Sequence, residues 1–220
     1  LKLRRAVIAA PAYGDYERAC RNAGMEIINV VSAEENDFIP DVARLAEVPD
    51  ESLIFIGNPG NPAGTYMEPQ NIRKLALSRP NNIFVIDEAF ADFSESDISI
   101  LPDIPRNVIV LRSLTKFYAV AGLRIGLLAA SEELVKKISP MIPDWSVNAM
   151  AIAAGVEALR NCAAFKAESR KVIAGLRARL AGQLSSIGLK VYPGAADYLL
   201  VRLPDAVPDT AGPLLETLSV

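Results

Sequence analysis

Short apolar runs alternate along the chain with longer stretches in which apolar residues recur every three or four positions. The runs are typical of buried strands and the longer stretches of amphipathic helices. Their alternation predicts an α/β fold with a mostly parallel sheet. The predicted strands are RRAVIAA (4–10), MEIINVV (25–31), SLIFIG (52–57), NIFVID (82–87), NVIVLR (107–112) and RIGLLAA (124–130), and the predicted helices cover 13–23, 69–78, 132–138, 146–159 and 163–186. Asp41 before VARL and Ser131 before EELVKKI are predicted to be helix N-caps.

The pattern changes after residue 160. A long charged helix is followed by LKVYP and DYLLVRL, two predicted strands with a Pro-Gly turn between them. We therefore predict a three-layer α/β/α large domain in residues 1–160 and the start of a smaller α+β domain in residues 161–220. Because the first residue is not methionine and the pattern stops abruptly at Val220, we expect both domains to be incomplete.

Composition excludes several classes of function. With 23 basic and 26 acidic residues the net charge is -3, which gives no electrostatic case for nucleic acid or an anionic membrane as partner. The apolar runs are too short to span a bilayer, and the start does not resemble a signal peptide. Cys20 and Cys162 lie in helical stretches without partners at metal-ligand spacing, which favours reduced core residues in a cytoplasmic protein.

The chain contains no histidine, which excludes Ser-His-Asp and Cys-His catalysis and any histidine-bound zinc within it. Proton transfer must then use lysine, tyrosine, a carboxylate or a bound cofactor. We expect no metal site.

Unusual side chains follow several predicted strands, and binding sites of parallel sheets form beyond the carboxyl ends of the strands. Asp87 ends an apolar strand, where an isolated carboxylate is costly and requires a cationic or hydrogen-bonding partner. Lys116 follows another strand and precedes Phe117 and Tyr118, so we expect it to be buried, and lysine forms Schiff bases with carbonyls. Arg124, eight residues later, suits recognition of phosphate.

The same residues are also compatible with different functions. Strand residues followed by Asp-Glu also occur in P-loop ATPases, although the chain lacks G-x-x-x-x-G-K-[ST] and the dinucleotide-binding G-x-G-x-x-G. Asn58 to Gly64, taken alone, is typical of a surface turn. A domain of this fold that only binds or regulates is a further alternative.

Together the residues define one ligand, pyridoxal 5'-phosphate. Its aldehyde would meet Lys116, its phosphate Ser113 and Arg124, its ring nitrogen Asp87, and its phenolic oxygen Asn61. A carboxylate that keeps the pyridine nitrogen protonated strengthens the ring as an electron sink.

Four motifs occur in the order of a known family: PAYGDY (11–16), GNPGNPAG (57–64), IDEAF (86–90) and SLTK (113–116). Over nearly its whole length, the chain resembles the fold-type I, aspartate aminotransferase-like superfamily of pyridoxal phosphate enzymes. Within it, the chain resembles the branch of histidinol-phosphate aminotransferase and threonine-phosphate decarboxylase.

The resemblance implies a role for each matching residue. Lys116 matches the Schiff-base lysine, Asp87 the partner of the pyridine nitrogen, and Asn61 the asparagine that bonds the ring oxygen. Ser113 and Arg124 match the phosphate ligands. Tyr13 falls where the family places the aromatic residue that stacks on the ring.

Phe90 stands where many of these aminotransferases have a tyrosine that reaches the same ring oxygen. Together with SLTKFYAVAGLR (113–124) and PDWSVNAMA (143–151), it makes the chain more similar to threonine-phosphate decarboxylase, an enzyme of cobalamin biosynthesis. A histidinol-phosphate or related aminotransferase is the alternative. Either implies a homodimer that acts on a phosphorylated amino acid or amine.

Three regions of the family are not recognised within residues 1–220. They are a glycine-containing loop that holds the cofactor phosphate, a tyrosine donated across the dimer, and an arginine that binds the substrate carboxylate. We therefore expect this stretch of chain to be inactive alone.

Overall fold

The computed structural model describes residues 3–204 and is built around a six-stranded sheet. Its strands are β1 Arg5–Ala10, β2 Glu26–Val31, β3 Ser52–Gly57, β4 Ile83–Asp87, β5 Val108–Ser113 and β6 Gly126–Ala130. The order across the sheet is β2-β1-β3-β4-β5-β6. All neighbouring pairs are parallel except β5 and β6, which are antiparallel. The predicted α/β fold with a mostly parallel sheet is confirmed.

Seven α-helices are described between and after the strands: α1 Gly14–Asn22, α2 Val42–Ala46, α3 Pro69–Ser78, α4 Leu114–Phe117, α5 Glu132–Ile138, α6 Ala149–Asn161 and α7 Ala163–Ser186. Asp41 accepts hydrogen bonds from the backbone amides at the start of α2, and Ser131 accepts one at the start of α5. Both predicted N-caps are confirmed. Helix α6 begins three residues later than predicted, because the Asn148 side chain caps it.

Apolar side chains cover both faces of the sheet, which explains why the strands read as continuous apolar runs. On one face, Ile54, Phe84 and Val110 pack with Ile72 and Leu75 of α3. On the other face, Val85 and Ile109 pack with Leu134 of α5. The sheet is therefore the middle of three layers, and its strand ends lie between helices.

Beyond α7, strands β7 Lys190–Val191 and β8 Val201–Arg202 form a small antiparallel sheet. They are much shorter than the predicted LKVYP and DYLLVRL strands, because only two residues of each have a pairing partner. Most of the region predicted to open a second domain is described, whereas residues 205–220 lie outside the described range. The domain division at residue 160 stays a prediction.

Within residues 3–204, none of the helices is both long enough and apolar enough to cross a membrane. Cys20 is buried and Cys162, between α6 and α7, is partly buried. Both are free cysteines, and only Cys20 is part of the core.

Candidate active site

The carboxyl ends of β3, β4 and β5 open into one cavity of about 260 Å³. The sheet register explains this meeting, because Asp87 is paired with Gly57 on one side and Leu111 on the other. Six of the seven predicted site residues line the cavity: Tyr13, Asn61, Asp87, Phe90, Ser113 and Lys116. Arg124 does not line it.

Asp87 is held by two hydrogen bonds. Its Oδ1 accepts from the Ala89 amide at 3.0 Å, and its Oδ2 accepts from the Tyr16 hydroxyl at 2.6 Å. Burial raises the pKa of Tyr16 well above its usual range, and the negative charge of Asp87 raises it further. The phenol therefore stays protonated and remains a donor.

Tyr16 was not predicted as a site residue. Its ring stacks on Phe55 at 5.2 Å and lies edge-on to Tyr13 at 5.8 Å. The available signal was its position three residues after Tyr13 on a predicted helix, which places both rings on one helical face. Tyr13 itself is about half exposed, and its hydroxyl donates to Asp15 at 2.8 Å.

Lys116 lies in α4, the single helical turn that follows β5. The prediction that it is buried is wrong, because Lys116 is exposed whereas its neighbours Leu114, Thr115 and Phe117 are buried. Leu114 and Phe117 are three residues apart and share the inward face of the turn, which leaves the lysine on the cavity side. A lysine in this position is open to a carbonyl compound that enters the cavity.

The two predicted phosphate ligands are placed differently. Ser113 ends β5, lines the cavity, and shares a 2.7 Å hydrogen bond with the hydroxyl of Thr115. Arg124 is exposed, in a left-handed backbone conformation with φ 55°, and donates to the carbonyl of Ala121 at 2.9 Å. A phosphate role for Arg124 stays a prediction.

Asn61 belongs to a closed loop after β3. Within it, the Gly60 amide donates to Thr65 and the Gly64 amide donates to Gly60. Asn58 is fully buried, and its side chain is used in bonds to the Met67 backbone at 2.7 and 3.2 Å. Asn58 therefore fixes the loop, whereas Asn61 lines the cavity.

A buried ionic network, also missed from the sequence, borders the cavity. Arg112 at the end of β5 binds Glu88 at 2.9 Å and Asp92 at 2.5 Å, and Lys166 of α7 also binds Asp92. Burial alone would lower the pKa of Arg112, but Asp92 and Glu88 reverse this and raise it, so the guanidinium stays charged. An arginine at the end of an apolar strand was the available signal.

A larger groove of about 540 Å³ lies elsewhere, between the loop after β3 and the segment around Gly194. Its charged groups include Arg177 and Glu95, which lie 3.4 Å apart. None of the predicted site residues lines this groove.

The residues of the cavity fit pyridoxal phosphate better than a metal. A primary amine, a carboxylate, a hydroxyl, a side-chain amide and an aromatic ring converge there, and each has a counterpart on that cofactor. Among residues 3–204, no group of three or more histidine, cysteine or acidic side chains could hold a metal ion.

Comparison with known proteins agrees with this chemistry. The sequence profile of the family described as "Aminotransferase class I and II" matches residues 2–219. The chain belongs to this family. Fold-type I aminotransferases and decarboxylases use pyridoxal phosphate.

Relatives in this family carry different names. Threonine-phosphate decarboxylase of Salmonella typhimurium is 36% identical over 210 residues, which is 92% of this chain and 57% of the relative. Histidinol-phosphate aminotransferase of Oleidesulfovibrio alaskensis is 32% identical over 213 residues, 94% of this chain and 55% of the relative. The chain thus spans about half the length of these curated relatives.

A solved structure shows the same fold. L-threonine-O-3-phosphate decarboxylase from Porphyromonas gingivalis superposes with a TM-score of 0.78 at 28% identity, and the match covers 91% of this chain and 60% of that one. The resemblance to the fold-type I enzymes is confirmed by family, relatives and structure together.

Proposed function

We propose that the intact protein is a pyridoxal phosphate enzyme that acts on a phosphorylated amino acid or amine, specifically a threonine-phosphate decarboxylase. The observation that carries the proposal is the convergence of Lys116, Asp87 and Asn61 on one cavity of a chain of this family. Threonine-phosphate decarboxylases among its relatives support the choice of substrate.

Four of the cavity residues have a task in this proposal. Lys116 would hold the aldehyde carbon covalently, and its amine would move a proton at the reacting carbon. Asp87 would hold the proton on the pyridine nitrogen, Ser113 would donate to the phosphate, and Asn61 would donate to the ring oxygen. When bound, the cofactor supplies an electron sink for the bond that breaks at the amino-bearing carbon.

Position 90 favours the decarboxylase over an aminotransferase. Phe90 lines the cavity where many family aminotransferases have a tyrosine, and a phenyl ring cannot donate a hydrogen bond to the ring oxygen. The residues named so far would serve either reaction. Histidinol-phosphate aminotransferase is the second candidate, supported by the relatives of that name.

A visible absorption band of the lysine-bound cofactor tests the first part of the proposal. The intact protein mixed with pyridoxal phosphate should show the band, and Lys116→Ala should lose it because the attached amine is gone. Lys74→Ala, which removes an exposed lysine of α3, is the matched control and should keep the band. No band in the unaltered protein would reject the cofactor assignment.

The reaction is tested with threonine phosphate as substrate. We expect release of carbon dioxide and no dependence on 2-oxoglutarate. Amino transfer to 2-oxoglutarate without carbon dioxide would instead establish the aminotransferase.

The proposal includes a homodimer in the cytoplasm. Met141, Trp145 and Met150 are largely exposed, which leaves apolar surface that a second copy can cover. The two free cysteines are compatible with a reducing compartment. Sedimentation of the intact protein tests the dimer, which a monomer at micromolar concentration would contradict.

A further inference from the structure

We infer that Tyr198, in the segment between β7 and β8, is a positioning residue for the loop that carries Asn61 and, through it, for the cofactor ring. The second half of this inference rests on the proposed function. The Tyr198 hydroxyl donates to the carbonyl of Gly60, the residue directly before Asn61, at 2.9 Å. Burial raises the pKa of Tyr198 above its usual range, and the negative charges of Asp197 and Asp87 raise it further. The hydroxyl therefore stays a donor.

The same segment holds the other side of the loop. The Ala195 amide donates to the carbonyl of Gly64 at 2.7 Å. Gly64 has φ +74°, and a Cβ added there would lie 3.3 Å from the Cα of Gly194, so the two backbones are in close contact. Asn61 is therefore flanked on both sides by backbone that residues 194–198 hold in place.

The ring of Tyr198 makes the second link to the cavity. It lies edge-on to Phe90, with centroids 5.0 Å apart and planes at 90°. Phe90 and Asn61 both line the cavity. Tyr198 contacts Phe90 directly and is connected to Asn61 through Gly60. One side chain from the C-terminal part of the chain thus contacts two places where the proposed ring would be held.

Tyr192 provides a matched control within the same part of the chain. Its hydroxyl donates to Glu34, and its ring packs against Phe38 at 5.1 Å. Tyr192→Phe therefore loosens the C-terminal segment without removing a contact to Gly60 or Phe90. Tyr198→Phe removes only the hydroxyl and keeps the ring against Phe90.

The first test needs no cofactor. Hydrogen exchange of the Gly60 and Gly64 amides, both bonded inside the loop, is measured in the intact protein without pyridoxal phosphate. We expect Tyr198→Phe to speed their exchange by about fivefold, the value of one ordinary hydrogen bond, and Tyr192→Phe to leave it nearly unchanged. Equal exchange rates in Tyr198→Phe and the unaltered protein would overturn the proposal that Tyr198 positions this loop.

The second test asks whether the contact of Tyr198 with the loop affects cofactor binding. The dissociation constant and the absorption maximum of bound pyridoxal phosphate are compared in Tyr198→Phe, Asn61→Ala and the double variant. If Tyr198 acts through Asn61, Tyr198→Phe weakens binding about fivefold alone and adds little to Asn61→Ala. Full additivity would overturn the coupling. If the unaltered protein binds no cofactor, the proposed function is rejected. The exchange rates would still decide whether Tyr198 positions the loop.

Discussion

The carboxylate of Asp87 owes its orientation to two donors, and only one of them is a side chain. Tyr16→Phe removes that donor while keeping the ring stacked on Phe55, so we expect pyridoxal phosphate to bind about five- to tenfold more weakly. The measurement is a titration of the cofactor followed by absorbance. Tyr13→Phe is the control, because the Tyr13 hydroxyl bonds Asp15 outside this contact. Equal affinities of the two variants would argue against a role for Tyr16.

Arg112 is the residue on which the buried charges beside the cavity depend. Its loss in Arg112→Met leaves Glu88 fully buried with only Ser99 and the Ile100 amide as partners. Breaking a buried ion pair in this way costs about 3–5 kcal/mol of unfolding free energy. Arg112→Lys is expected to recover only part, because one ammonium cannot bind Glu88 and Asp92 as the guanidinium fork does.

Urea denaturation at neutral pH measures this cost. Arg18→Met is the matched control, since Arg18 pairs with Asp15 at the exposed surface and should cost about 0–1 kcal/mol. A similar loss in both variants would mean that burial of the network does not matter.

At the scale of elements, the strands and most helices could be predicted, because the spacing of apolar residues and the presence of capping residues are local features of the sequence. The register of parallel strands then brought Asn61, Asp87 and Ser113 to one edge, as expected from their positions after strands. The exposure of Lys116 could not be predicted, because packing of a single helical turn decides which way it points. Tyr16 was missed because its partner, Asp87, lies 71 residues away in the chain.

The antiparallel pairing of β5 with β6 sets the position of Ser113 at the cavity. Ser113 is paired with Gly126, where an added Cβ would lie 2.9 Å from the carbonyl oxygen of Arg112. Backbone cannot give way cheaply, so we expect Gly126→Ala to destabilise the fold by about 1–3 kcal/mol and to weaken cofactor binding. Gly122→Ala, with no atom within 4 Å of the added Cβ, should do neither. Thermal unfolding and cofactor titration compare the two, and unchanged behaviour of Gly126→Ala would contradict the role of this pairing.

At the scale of the whole molecule, the part of the chain after residue 160 contacts residues next to the cavity at two places. Lys166 and Arg170 of α7 bind Asp92, which is linked through Arg112 to the cavity wall. Tyr198 binds the loop of Asn61. Neither link could be foreseen from the sequence, since the bonds of Arg170 and Tyr198 span 78 and 138 positions of the chain. The C-terminal part therefore supports the cavity, although within residues 3–204 none of the lining residues comes from beyond position 160.

A third connection, at Glu34, makes this attachment sensitive to pH. Glu34, which follows β2, accepts hydrogen bonds from Tyr192, Lys190 and Arg202. The bond from Tyr192, then that from Lys190, lowers the pKa of Glu34 from 4.5 to about 2. Because this value is lower in the folded than in the unfolded chain, the stabilisation is fully present above pH 4.5 and is lost as pH falls towards 2.

Glu34→Gln should therefore lower the melting temperature at pH 7 by about 2 °C, a small effect because the group is partly exposed to solvent. The difference from the unaltered protein should shrink as the pH falls from 4.5 to 2 and vanish below pH 2, where the glutamate becomes neutral as well. Glu35→Gln changes the exposed neighbouring carboxylate and should leave the melting curves nearly superimposed. Thermal unfolding at a series of pH values distinguishes the cases. A constant difference at every pH would show that packing of the side chain, and not its charge, holds β7 and β8 to the sheet.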